Sequence, residues 1–144
     1  MDQIKIGKFI AECRKKVNLT QIQLAEKLGA SVADNQALAA KCDYLFLGVK
    51  PQMMAGMLAE IADVLKSRQD KFVLVTMAAG LTLDTIAEMA GIDAPVIRIM
   101  PNTPASVGKG MILYDRNGAV TDEQTAGFLN GLSQAGCLDR IPER

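Results

Sequence analysis

Tyr44 to Met77 reads YLFLGVKPQMMAGMLAEIADVLKSRQDKFVLVTM, and the order of its patterns decides the fold. The run from Tyr44 to Val49 is apolar and aromatic, short enough for a buried strand. From Met53 to Lys66, the residues Met54, Met57, Leu58, Ile61, Val64 and Leu65 recur at three- and four-residue steps, so they share one helical face. A second apolar run, Phe72 to Met77, follows. Strand, helix and strand at this spacing predict a parallel pair joined by a crossover helix.

The same alternation continues in both directions. Downstream, Ala78-Ala79-Gly80 leads to Thr82, an N-cap for a helix with Leu83, Ile86 and Met89 on its apolar face and Gly91 at its end. Val96 to Met100 (VIRIM) reads as a third strand, and Met111 to Tyr114 as a fourth, turning at Asp115-Arg116-Asn117-Gly118. Thr121 and Gln124 form a capping box before a helix reaching about Ser133, and Cys137 to Ile141 reads as a last strand. Upstream, Asp34 or Asn35 caps a short helix through Lys41. The class is α/β, with parallel strands and crossover helices on both faces of the sheet.

Before Gly29 the chain reads differently. Ile6, Phe9, Ile10, Cys13 and Val17 share a helical face, with Lys8, Glu12, Arg14, Lys15 and Lys16 around it. Asn18-Leu19-Thr20 breaks that helix. Thr20 and Gln23 supply a capping box for the next one, Leu19 can staple onto Leu24, and Gly29 suits the position just past its end. Two domains are expected: a helical hairpin over 1–29 and an α/β unit over 30–144.

Composition narrows the chemistry. The chain has 144 residues, 49% of them apolar, with 16 basic and 16 acidic side chains and a formal net charge of zero. No basic excess exists to hold a phosphate backbone across the surface. Histidine is absent, which removes imidazole from catalysis and from metal ligation. Cys13, Cys42 and Cys137 are far apart and form no CxxC, so buried reduced thiols of a cytoplasmic protein are expected. The charged first residues do not form a signal peptide. The longest nearly apolar run, Phe72 to Leu83, is well short of the roughly 20 residues that span a membrane.

Ligands of such sheets settle at the carboxyl ends of the strands. Three loops are expected there: Gly48 to Gln52, Met77 to Gly80, and Met100 to Pro104. Ala78, Ala79 and Gly80 allow close backbone approach, Lys50 offers positive charge, and Asn102 and Thr103 bring amide and hydroxyl groups suited to a ribose or an amide edge. Each feature alone also fits a packing turn, a solvated lysine or a proline-shaped loop. Their occurrence together in sheet order points to a nucleotide cofactor.

Two resemblances add to this. The segment IGKFIAECRKKVNLTQIQLAEKLG resembles the opening of Cro/repressor-type helix-turn-helix domains, which implies DNA binding as an alternative reading. The residues that follow, ASVADNQALAAKCD, place no Arg, Trp or Gln in the positions a base-reading helix would use, which argues against nucleic acid as a partner. Over about residues 29–141, CDYLFLGVKPQ, LVTMAAGLTLDTI and VIRIMPNTPASVGKGM resemble pyrroline-5-carboxylate reductase in order and spacing. That resemblance implies an incomplete Rossmann-like fold and an NAD(P)H-dependent oxidoreductase that reduces pyrroline-5-carboxylate to proline. It also implies NADPH or NADH as cofactor, a small-molecule substrate and a homo-oligomer. By the same resemblance, Asn35 lies near the adenosine ribose. Gly48, Val49, Lys50 and Pro51 line the cofactor with Met77, Ala78 and Ala79, and Asn102 and Thr103 lie near the nicotinamide.

The departures are equally specific. The family opens with a strand and a glycine-rich phosphate turn, whereas the glycines here never form GxGxxG and the hairpin occupies that place. YLFLGV is then expected to form an open sheet edge. The family's carboxy-terminal domain, which holds the pyrroline, would begin where Glu143 and Arg144 end this chain. No side chain of the chain is therefore assigned to catalysis.

Overall fold

The computed structural model describes residues 12–142. The chain divides into two compact units, Met1–Asp34 and Asn35–Arg144. In the first, residues 12–16 are helical and α1 spans Gln21–Lys27. Both boundaries have a local cause. Asn18 takes a left-handed conformation (φ 54°), and the N–H groups of Asn18 and Leu19 donate back to Lys15 O and Arg14 O, closing the preceding helix. The capping box of Thr20 and Gln23 is complete, with bonds of 3.1 and 2.9 Å. Gly29 is also left-handed, and its N–H and that of Ala30 donate to Glu26 O and Ala25 O. The expected apolar stripe is not buried where it is described: Cys13 and Val17 are exposed, and α1 has no buried residue. Ile6, Phe9 and Ile10 lie outside the described residues.

The second unit runs α2 (Asn35–Lys41), β1 (Tyr44–Leu47), α3 (Met54–Ser67), β2 (Val73–Thr76), α4 (Leu83–Ala90), β3 (Val96–Met100), β4 (Gly110–Arg116), α5 (Asp122–Leu132) and β5 (Gly136–Arg140). Short 3-10 turns occupy Pro51–Met53, Thr103–Val107 and Ser133–Ala135. The caps expected at Thr82 and at Thr121 with Gln124 are present, and Gly91 ends α4 in the left-handed region.

The five strands form one sheet in chain order, and β1 is an edge strand among the described residues, as expected of YLFLGV. β1, β2 and β3 are parallel; β4 runs antiparallel to β3, and β5 is parallel to β4. The expectation of parallel strands therefore holds on each side of β3–β4 and needs correction across it. The cause is chain length. A parallel return needs a crossover of about a dozen residues or more, and Pro101 to Lys109 is too short for a crossover helix.

Two apolar clusters sandwich the sheet. Met54, Leu58, Ile61 and Leu65 of α3, Leu83 and Ile86 of α4, and Ala39 of α2 pack against Leu45, Leu47, Leu74 and Val96. Phe128 of α5 and Val120 pack against Val73, Val75, Ile97, Ile99 and Ile112 on the other face. Every residue of β2 is buried, which is why VLVT is a continuous run and does not alternate. Tyr44 fastens α5 to the edge: its hydroxyl donates to Gln124 O at 2.7 Å, and burial raises its phenol pKa.

The expectation of buried thiols is corrected. All three cysteines are free, but Cys13 and Cys137 are exposed and Cys42 is half-buried. Cys137 sits on the edge strand β5 and points away from the apolar cluster, which receives its neighbour Leu138.

Arg68, just after α3, joins the amino ends of β1 and β2. Its Nη1 donates to Ala39 O at 2.7 Å and Cys42 O at 2.8 Å, its Nε and Nη2 grip the Asp70 carboxylate, and its guanidinium lies 4.9 Å from the Phe72 ring centre. Arg68→Ala is expected to cost about 3 kcal/mol in urea unfolding, because buried carbonyls lose a charged donor. The hydrogen bond from Arg68 holds the Asp70 pKa below its ordinary value of 3.8. A depressed carboxylate stabilises the fold fully above its unfolded pKa, and that part is lost as pH falls through the folded one. Melting temperatures taken from about pH 5 down to about pH 2 should therefore fall more steeply in the parent chain than in Asp70→Asn.

Three glycines carry the approach of β4 to β5. A Cβ on Gly136 (φ +138°) would collide with Gly110 O, one on Gly110 would lie 2.8 Å from Ala135 O, and one on Gly108 (φ +70°) would lie 2.9 Å from Gln134 O. Gly131, in α5, has nothing within 4 Å of such a Cβ. Gly136→Ala should destabilise the protein by about 3 kcal/mol or more. Gly131→Ala should stabilise it by up to about 1 kcal/mol. Urea unfolding of the pair measures both signs in one experiment.

Candidate functional site

Parallel register aligns the carboxyl ends of β1, β2 and β3. Leu47 lies opposite Thr76, and Thr76 opposite Arg98, so the chain leaves β1 and β2 at the same level while β3 runs on to Met100. Neighbouring strands are about 4.8 Å apart, which places the loops after β1 and β3 roughly 10 Å from each other across the loop after β2.

In the first loop, Gly48 N–H donates to Phe46 O, and Pro51 opens the 3-10 turn, its fixed φ and missing donor suiting that position. Gly48, Lys50 and Pro51 are exposed and Val49 is half-buried. No ion pair engages Lys50 among the described residues. Asn35 is exposed at the start of α2, where its Nδ2 donates to Glu60 Oε2 at 3.2 Å and ties α2 to α3. A groove of about 480 Å³ runs along the β1 edge and brings Asn35 together with Gly48 and Val49, between Leu38, Phe46 and Met57.

In the second loop, Met77 and Ala79 are exposed, Ala78 is buried, and Gly80 takes a left-handed conformation (φ +80°) that favours glycine. A residue outside the sequence-based expectations bonds to this turn. Thr76 is the one polar residue buried in the core among those described, and its Oγ1 accepts the Ala78 N–H at 3.2 Å. The signal in the sequence is a hydroxyl at the end of an apolar strand, whose buried oxygen needs a partner. The N–H groups of Ala79 and Gly80 have no protein acceptor among the described residues.

In the third loop, Asn102 and Thr103 are exposed. Asn102 already has a structural role, because its Oδ1 accepts the Met111 N–H at 3.0 Å and its backbone carbonyl accepts the Ala105 N–H. The side chain thus joins the loop to the start of β4, with its Nδ2 group left over. Met77 and Met100, both exposed, put apolar surface beside these donors.

The donor set suits a dinucleotide in part. Unspent backbone N–H groups, a cation, a free amide and open space at Gly48 and Gly80 fit ribose, amide and phosphate oxygens. GxGxxG is missing from the sequence, so no helix start with that turn holds the pyrophosphate. Among the described residues no group of acidic, Cys or His side chains could hold a metal ion, and no helix is long and apolar enough to cross a membrane.

The family model described as NADP oxidoreductase, coenzyme F420-dependent, matches residues 6–80. Pyrroline-5-carboxylate reductase of Escherichia coli K12 is 43% identical over 108 residues, covering 74% of this chain and 39% of that protein. The same enzyme of Corynebacterium melassecola is 35% identical over 122 residues, covering 84% of this chain and 45% of the relative. The chain thus spans less than half the length of these curated relatives. The crystal structure of Plasmodium falciparum pyrroline carboxylate reductase with NADP bound superposes with a TM-score of 0.70 at 28% identity, over 79% of this chain and 42% of that one. These matches carry nothing for the helix-turn-helix reading of the first residues. The chain belongs to the NADP oxidoreductase, coenzyme F420-dependent, family, and it resembles the pyrroline-5-carboxylate reductases across the sheet that carries its three loops.

Proposed function

We propose that this chain forms the cofactor side of an NADPH-dependent reductase acting on pyrroline-5-carboxylate. The observation that carries the reading is the alignment of three small-residue loops at the carboxyl ends of adjacent parallel strands, with the Ala79 and Gly80 N–H groups unspent at the centre. In this reading Gly48, Val49, Lys50 and Pro51 hold one side of the dinucleotide, with Lys50 facing its negative charge. Met77, Ala78 and Ala79 form the floor, and Asn35 reaches the adenosine ribose along the β1 groove. The free Nδ2 of Asn102, with Thr103, orients the nicotinamide end.

When bound, NADPH supplies the hydride that, together with a proton, reduces the C=N bond to the amine of proline. In this reading the chain's own residues bind and orient the cofactor. The NADP bound by the Plasmodium relative and the description of the matched family support NADPH over NADH. Three free cysteines support a cytoplasmic setting. The edge strand β1, in which Phe46 is 48% exposed, supports a homo-oligomer.

Calorimetric titration of the folded chain should show NADPH binding with a Kd of about 1–100 μM, weaker for NADH. A folded chain that binds neither overturns the reading. Sedimentation velocity should show a dimer growing with concentration, and a concentration-independent monomer removes the oligomer.

A further inference from the structure

We propose that Thr76 is a positioning residue of the dinucleotide site, acting through the backbone of the Ala78-Ala79-Gly80 turn. The inference rests on the cofactor reading above and goes beyond it by assigning the turn's shape to one buried hydroxyl. Thr76 ends β2 with no solvent exposure, between apolar residues on both faces of the sheet. A buried hydroxyl without a partner costs free energy, so its oxygen is committed to the Ala78 N–H, two residues on.

That bond has a directional effect. It turns the Ala78 N–H back toward the strand end and draws Ala78 into the core, where it is 4% exposed. The next two residues then leave the sheet, exposed, with N–H groups that no protein acceptor uses among the described residues. Gly80 completes the reversal at φ +80° with open space where a Cβ would stand. Thr76 thus spends one donor of the turn inward, and two on exposed residues stay unspent at the level where β1 and β2 end. Donors fixed in advance need no ordering when a ligand oxygen arrives, which is the advantage of preorganisation. The threonine methyl adds β-branched stiffness at χ1, so the hydroxyl keeps its direction.

Three variants test this: Thr76→Val keeps the shape and removes the acceptor, Thr76→Ala removes both, and Thr76→Ser keeps the acceptor. Amide hydrogen exchange by NMR reads the turn, and NADPH titration reads the site. The parent chain should protect the Ala78 amide. Thr76→Val should lose that protection while the Leu74 and Val75 amides keep theirs, and should bind NADPH about tenfold more weakly, the worth of one hydrogen bond. Thr76→Ser should restore both readouts. If Thr76→Val does not fold, Thr76→Ala is held to the same expectations. Ala78 exchange that is the same in the parent and the acceptor-free variant overturns the inference, as does unchanged NADPH affinity once Ala78 is released. A folded parent chain that binds no NADPH overturns the cofactor reading itself, together with what rests on it.

Discussion

One guanidinium meets four pieces of chain at the amino end of the sheet. Arg68 holds the last carbonyls around α2, leaves α3, grips Asp70 and lies over Phe72, and its side chain is only 4% exposed. A charge this enclosed is stable because four of its five N–H donors meet an oxygen. The consequence is register. With Cys42 and Phe72 held to the same side chain, β1 and β2 start in a fixed relation, and parallel pairing carries it forward to Leu47 and Thr76. The alignment of the loops at the far end is thus set by a polar contact on the opposite side of the sheet.

Between these ends the strands do little except exclude water. β2 has no exposed residue, and polar function resumes where the chain leaves the sheet. This division is common in α/β proteins: a rigid apolar scaffold presents loops whose backbone groups do the binding. Here the boundary between scaffold and loop is a single threonine.

Much of this is legible in the residues. The helical spacing of Met54, Leu58, Ile61 and Leu65, the capping pair Thr121 and Gln124, and Gly91 at a helix end each have a local cause, and local causes can be read from sequence. The direction of β4 is not legible in its own pattern, although the brevity of Pro101 to Lys109 contains it, because strand patterns carry no polarity. Asn102 reads as a ligand contact, and the structure shows its side chain already holding β4; an amide has two ends, and spacing alone does not say which is occupied. Asn117 reads as a turn residue, yet its side chain accepts from Val96 N and donates to Ala94 O, closing the start of β3 over twenty positions away. Such long-range pairings leave no periodic trace. The exposure of Cys137 escapes the sequence for a similar reason, since an edge strand and a central one look alike in composition.

The crossing of Gly108 and Gly110 with Gln134, Ala135 and Gly136 leaves no room for even a methyl group. Its consequence is mechanical. Where side chains separate two segments, a small displacement of one is absorbed by rotamer changes in the layer between. Here backbone faces backbone, and close-packed interiors transmit strain. The 3-10 turn Thr103–Val107, which continues the third loop of the site, is therefore geared to the turn Ser133–Ala135 and to the start of β5. Asn102 and Thr103 thus stand one rigid backbone crossing away from the start of β5.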